Sequence, residues 1–336
     1  MTRPIFHVAL LVTAMLGLMP GEGLGQQTEI SSAVASLRQV LASTKLGDQE
    51  KAAFAGQIKR AEEAVDSGHL YLALHRLQNT WARLGAHAFM ESKAEVAKKG
   101  NDAFEIEWRR LGTELAASEK RLAARPPALA ITKSLVQSSR LQSRPYYQSG
   151  RLFGLNTTPD QGFYYVGIAR SSLDFALFCN QLSFSKPARG LKLRPITGEL
   201  GELETETLTA YEKSVPEDQP RYNNLNSTLK LAGELDRERW AEGALLKYLE
   251  ARLLLGMLTA KTPDAGRVAA LEAAIKTATA QLGDGRDHSI ALMFLEMARA
   301  AILPATGEAD ANGLKQAAVI LEQVLPHYFK ATSNSL

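Results

Sequence analysis

The stretch from Thr158 to Phe184, TPDQGFYYVGIARSSLDFALFCNQLSF, constrains this chain most. It opens on a helix signature. Thr158 is a good N-cap, Pro159 suits the first helical position, and Asp160 favours the positive end of the helix dipole. Gln161 completes a Thr-x-x-Gln capping box. Apolar residues then cover every face, among them Phe163, Val166, Ile168, Ala169, Leu173, Phe175, Phe178 and Leu182. A helix that is apolar all round lies either in a bilayer or inside a protein core. Arg170, Ser171, Ser172 and Asp174 fall in its middle, which argues against a span. The pattern predicts a helix buried on most sides, with other helices packed round it.

The N-terminus carries a different signal. Arg3 precedes an apolar run from Ile5 to Met19, Pro20 breaks the run, and Gly23-Leu24-Gly25 places small residues before a cleavage point. This predicts a secretory signal peptide over residues 1–25 and a periplasmic or secreted protein. No integral membrane span is expected once that leader is removed. Ala244 to Leu258 is very apolar, but Lys247, Glu250 and Arg252 interrupt it. One cysteine cannot form an intramolecular disulfide, and Cys179 in ALFCNQL reads as a small buried hydrophobe.

Helical periodicity covers the rest. Ile30, Val34, Leu37 and Leu41 mark a first helix, and Gly47-Asp48 restarts a second that ends near Gly68. A third runs from His69 to Leu84. A long helix is expected from Ala88 to Ala124, with Gly100 as the candidate kink and Pro126-Pro127 as its end. Residues 143–160 contain Pro145, Gly150, Gly154, Asn156 and Pro159, and read as an ordered loop leading into the central helix. An acidic helix follows from Gly198 to about Lys213. Further hairpins are expected from Tyr222 to Leu258 and from Val268 onward, with Gly283-Asp284-Gly285 as a turn and a final amphipathic helix through Leu314, Leu321 and Tyr328. No strand is expected. Ala61, Ala64, Gly68, Leu70, Ala73 and Leu77 stand where a tetratricopeptide (TPR) hairpin puts its small residues, turn and packing residues. Residues 57–84 therefore resemble a TPR hairpin, and residues 231–258 resemble one again, with Gly243 where Ala is usual. The resemblance implies an α-solenoid. The expected fold is all-α: helical hairpins forming a bundle or short TPR-like solenoid around a central buried helix at about 158–184. The expected division is hairpins and a long helix over 26–125, a basic and aromatic middle over 126–215, and hairpins again over 216–336.

Charge is uneven along the chain. The whole protein has a net charge of +3, too small to suggest a nucleic-acid partner. From Arg125 to Pro195, however, ten Lys and Arg face two Asp, and from Ile196 to Glu250 twelve acids face six bases. Nine of the 23 aromatic residues lie between Tyr146 and Phe184. Aromatic faces stack on sugar rings and arginine forks hold carboxylates or phosphates, so Arg144, Tyr146, Tyr147, Arg151, Tyr164, Tyr165, Arg170 and Asp174 are the candidate ligand-binding residues. Arg170 and Asp174 stand i, i+4 inside the apolar helix and are the pair of most interest.

Chemistry of the familiar kinds finds little footing. The histidines show neither an HExxH motif nor an i, i+4 pair, so no metal ligands are named. Asp284, Asp287 and His288 share a turn, where Asp287 is expected to cap the next helix. No GxSxG elbow, SxxK or phosphate-binding glycine loop is present. Glu91-Ser92 resembles the Glu-Ser dipeptide of soluble lytic transglycosylases, without their downstream Gly-Leu-Met-Gln run. The expected function is a non-enzymatic binding or scaffold protein of the cell envelope, without cofactor, whose partner is another envelope protein or cell-wall glycan. A glycan-directed enzyme, and an anionic glycan or lipid binder using the Arg/Tyr-rich middle, stand as alternatives.

Overall fold

The computed structural model describes residues 24–184, 189–191, 193–283, 285–304 and 309–333. The expected leader falls almost wholly on residues 1–23, outside the described residues. The described chain is all-α, with no strand and one isolated bridge between Arg189 and Arg286. It divides into two compact units. The first comprises Met1–Pro127 and Ser139–Ser185, the second Ala128–Ser138 and Lys186–Leu336.

The first unit contains α1 (Leu24–Ser43), α2 (Asp48–Asp66), α3 (Leu70–Ser92), a single turn α4 (Ala94–Ala97) and α5 (Asn101–Ala124). It also holds the later part of α6 (Ala130–Asn156) and all of α7 (Pro159–Gln181). α7 is the helix the sequence predicts. Thr158 Oγ1 accepts the Gln161 N–H at 3.3 Å, and the helix stops where Leu182 turns extended. Phe163, Val166, Ala169, Phe175, Ala176 and Cys179 are fully buried. Burial of each large side chain contributes roughly 1.5–3 kcal/mol. The helix packs mainly on α3 and also on α5. Glycines bring the backbones close. A Cβ at Gly167 would lie 2.8 Å from Ala86 Cα, and one at Gly162 would lie 2.5 Å from Gly154 Cα and 2.6 Å from the Phe104 ring.

Two expectations fail here, for physical reasons. The segment 143–160 is not a loop: α6 continues through Pro145 to Asn156. Gly150 and Gly154 are packing glycines, since added Cβ atoms would meet Val166 at 2.5 Å and Phe104 at 2.2 Å. Pro145 lies on the exposed side of the helix. The long helix from Ala88 to Ala124 is also interrupted. α3 runs on to Ser92, and Gly100 adopts φ +86°, a left-handed conformation that separates α4 from α5.

The second unit holds the first turns of α6, α8 (Thr197–Tyr211), α9 (Gln219–Arg237), α10 (Ala241–Thr259), α11 (Val268–Gln281) and α12 (Ser289–Ile302). The chain ends in α13 (Ala311–Val319), a π-helical turn (Ile320–Val324) and α14 (Leu325–Ser333). It has a buried helix of its own. α10 packs on α8, α9, α13, the π-turn and α14, with Leu245, Tyr248, Leu249 and Ala251 fully buried. Asp287 caps as expected, its Oδ1 accepting the Ser289 N–H at 3.1 Å. It also reaches back to the start of α6, where Oδ2 accepts the Ala130 N–H and Ser289 Oγ accepts the Ile131 N–H at 3.0 Å.

The two segments compared above with TPR hairpins, α2–α3 and α9–α10, turn in the same way. His69 N–H bonds Ala64 O at 2.8 Å with Gly68 at φ +74°, and Trp240 N–H bonds Leu235 O at 2.9 Å with Arg239 at φ +60°. Both are Schellman closures, in which the left-handed residue satisfies a helix's last carbonyls. Ala61, Ala64, Ala73 and Leu77 are buried along the first hairpin.

Candidate functional site

The eight predicted site residues lie in the first unit, in three surroundings. Tyr147 and Arg151 are held by α5. Tyr147 stacks on Trp108 at 4.5 Å and 10°, its hydroxyl donates to Trp108 O at 2.9 Å, and Trp108 Nε1 donates back to Tyr147 O at 3.1 Å. Arg151 forks onto Glu105 at 3.1–3.2 Å and lies over the Trp108 ring. These contacts clamp α5 to α6.

Tyr146, Tyr164 and Tyr165 belong to a second group, packed on Ala82, Ala86 and Ile168. Phe153, Tyr165 and Tyr146 stack in nearly parallel order, with interplanar angles of 14° and 20°. Tyr164 meets His87 edge-on at 4.8 Å. Burial raises the Tyr146 hydroxyl above its ordinary pKa and lowers that of His87. Arg144 is exposed.

The third place is a cleft of about 280 Å³ between α5 and α7, and it holds Arg170 and Asp174. α7 supplies Val166, Arg170 and Asp174 at i, i+4, i+8, and α5 supplies Leu111, Leu115, Glu114, Ser118 and Arg121. Arg170 Nε stands 3.9 Å from Asp174 Oδ2, an ion contact too long for a hydrogen bond. About a third of each side chain is exposed. The Arg170 guanidinium lies over the Phe89 ring at 5.2 Å. Arg121 donates to Ser118 Oγ at 3.0 Å, and Glu114 pairs with Arg110. Burial raises the Asp174 pKa above its ordinary value; Arg170 and Arg121 oppose that shift and Glu114 adds to it.

Sequence reasoning missed a larger groove in the second unit, about 690 Å³ between α8 and α9. Leu200, Thr207 and Leu208 of α8 face Leu229 and Lys230 of α9 across it. Leu208 is 60% exposed and Tyr211 45%. A Cβ at Gly201 or Gly233 would meet nothing within 4 Å, so these glycines leave the groove wide. Thr207 Oγ1 is buried there without a hydrogen-bond partner, among the described residues. The only sequence signal was the acidic run that begins at Glu199.

Other candidate groups have structural work. Glu91 Oε1 accepts the Lys45 backbone N–H, and Glu91 lines neither cleft described above. Cys179 is fully buried, which pushes its thiol pKa far up. Among the described residues no group of three His, Cys, Asp or Glu side chains is placed to hold a metal ion, and no helix is long and apolar enough to cross a membrane. No protein-family model matches the chain, and no curated protein and no solved structure matches it either. What the geometry defines is a class: an all-α protein of packed helical hairpins, whose described residues form a small charged cleft and a larger groove with exposed apolar side chains.

Proposed function

We propose that this is an exported, non-enzymatic helical binding protein of the cell envelope, and that the groove between α8 and α9 docks an amphipathic helix of another envelope protein. The observation that carries the reading is the groove itself, with Leu208 and Tyr211 exposed on its wall. Apolar side chains exposed together along a groove are the usual mark of a helix-in-groove site. α8 spans about 22 Å at 1.5 Å per residue, room for a partner helix of about four turns. Its lining carries both signs of charge: Glu204 on α8, and Lys230, Asp236 and Arg237 on α9. Glu204 lines the groove with no ion-pair partner among the described residues. The matching occupant is therefore an amphipathic helix with charges of both signs beside its apolar stripe. The paired Schellman hairpins support a TPR-like arrangement, whose stacked units offer such grooves. The leader at residues 1–25 supports export.

A photo-crosslinking amino acid at Leu208, with a control at the exposed Ile106 of the first unit, tests this in cells. The expected result is cross-linking from position 208 alone, to an amphipathic helical segment identified by mass spectrometry. Gly201→Leu puts a side chain into the groove from a position where an added Cβ meets nothing within 4 Å, and should abolish the cross-link. A cross-link that survives Gly201→Leu, or none at 208, overturns the reading. Export is checked by fractionation, with Gln26 expected as the mature N-terminal residue.

A further inference from the structure

The cleft between α5 and α7 has a chemistry of its own. Arg170 makes no hydrogen bond among the described residues, and neither does Asp174. A guanidinium presents five donors in a planar fork, and an ionised carboxylate can accept several bonds. Here one of each lies 3.9 Å apart, both facing the same small space and neither satisfied by the other. Arg121, opposite on α5, has only Ser118 Oγ as a polar partner among the described residues. The apolar surface left accessible between these charges is the half-buried Leu115, above the fully buried Leu111 and Val166.

The arrangement discriminates among ligand classes. A plain carboxylate or a phosphate would meet the two arginines but also the like charge of Asp174. A plain amine would meet Asp174 but also the arginines. A ligand carrying both charges a few ångströms apart satisfies all three groups. The volume, about 280 Å³, falls just below the range of drug-sized sites, roughly 300–1,000 Å³, and suits a ligand of a few heavy atoms. We propose that this cleft binds a zwitterionic α-amino acid with an apolar side chain, its carboxylate on Arg170 and Arg121, its ammonium on Asp174, and its side chain against Leu115. The site belongs to the first unit, and does not depend on the groove between α8 and α9.

The raised pKa of Asp174 gives the site a pH signature. The groups facing it are Arg170 on its own helix and Arg121 and Glu114 on α5. An ammonium ligand requires the ionised carboxylate, so affinity should fall as the pH drops and Asp174 takes up a proton. A purely anionic ligand would show the opposite trend, because the neutral acid no longer repels it.

Isothermal titration calorimetry of the full mature chain tests this with glycine, L-alanine, L-leucine, L-methionine and L-phenylalanine, and with two truncated analogues of leucine, 4-methylpentanoate and 3-methylbutylamine. At least one amino acid is expected to bind, with the matching acid-only or amine-only analogue at least ten-fold weaker. Arg170→Gln and Asp174→Asn should each weaken amino-acid binding ten-fold or more. Asp174→Asn should leave 4-methylpentanoate binding unchanged or tighter, which a merely unfolded variant would not do. An analogue that binds the wild-type chain as tightly as the amino acid, affinity that rises as pH falls, or no heat from any amino acid at millimolar concentration overturns the proposal.

Discussion

Each unit is built on one buried helix with charges inside it, and the two treat those charges differently. In α10 every interior charge is answered. Lys247 bonds both oxygens of Glu250 at 2.8 and 3.1 Å, and Arg252 forks onto Glu206 and donates to Tyr248 Oη at 3.3 Å. Both basic side chains are only 9% exposed. Tyr248 in turn meets His327 Nδ1 at 2.8 Å. In α7, Arg170 and Asp174 share one loose contact and open onto a cleft. Charge buried from water must be fully partnered, or it destabilises the fold by several kcal/mol. A charge pair at a cleft can keep its bonding capacity in reserve, because water or a ligand completes it. The α10 network is thus architecture, and the α7 pair is the one with something left to bind.

Three measurements press on that contrast. The largest effect should come from the close backbone approach beneath α7. Gly162→Val drives side-chain atoms into Gly154 Cα and the Phe104 ring, neither of which can move aside cheaply, and should cost about 3 kcal/mol or more by chemical denaturation. A loss below about 1 kcal/mol would mean that α7 is not wedged as described. Next, Arg252→Leu removes the centre of the α10 network and should cost about 2 kcal/mol, since Tyr248 and Glu206 lose their charged donor while Glu206, half exposed, still reaches water. An unchanged stability would erase the distinction between the two helices. The smallest effect is Asp174→Asn, and its sign is opposite. Burial raises the folded pKa of Asp174 above the unfolded value near 3.8, so the wild-type chain loses stability as pH rises from there through the folded pKa. The substitution removes that loss. Melting temperature should therefore rise for Asp174→Asn at pH 7 and coincide with the wild type near pH 3. A fall at pH 7 would show that the Arg170–Asp174 contact holds α7 in place.

What could be read in the sequence follows from how local each signal is. The start of α7 was legible because its cap, Pro159 and Gln161 lie within four residues of one another. The Arg170–Asp174 pair was legible because i, i+4 neighbours share a helix face whatever the fold. Glycines defeated the reading where their role is tertiary. Gly150 and Gly154 look like loop residues in sequence, and only the positions of Val166 and Phe104 make them helix residues. The same blindness hid the α8–α9 groove, which Gly201 and Gly233 leave open from helices that are separate in the chain. The other wall of the charged cleft was out of reach too. Arg121 and Ser118 sit in an ordinary amphipathic helix, with nothing local to say that Asp174 faces them.

The cap on α6 sets a condition on the order in which this chain can fold. The Ala130 and Ile131 N–H groups donate to Asp287 and Ser289, 157 and 158 residues further along. A helix whose first N–H groups have no acceptor is incomplete at that end. A chain synthesised from its N-terminus exposes the start of α6 long before its acceptors exist, while the later turns of the same helix can already pack on α5 and α7. Completing that end of α6 needs one carboxylate and one hydroxyl from far along the chain, the closure of a long loop whose entropy must be lost before the bond is gained. Neither unit is an unbroken length of sequence, and no single proteolytic cut can separate one cleanly from the other.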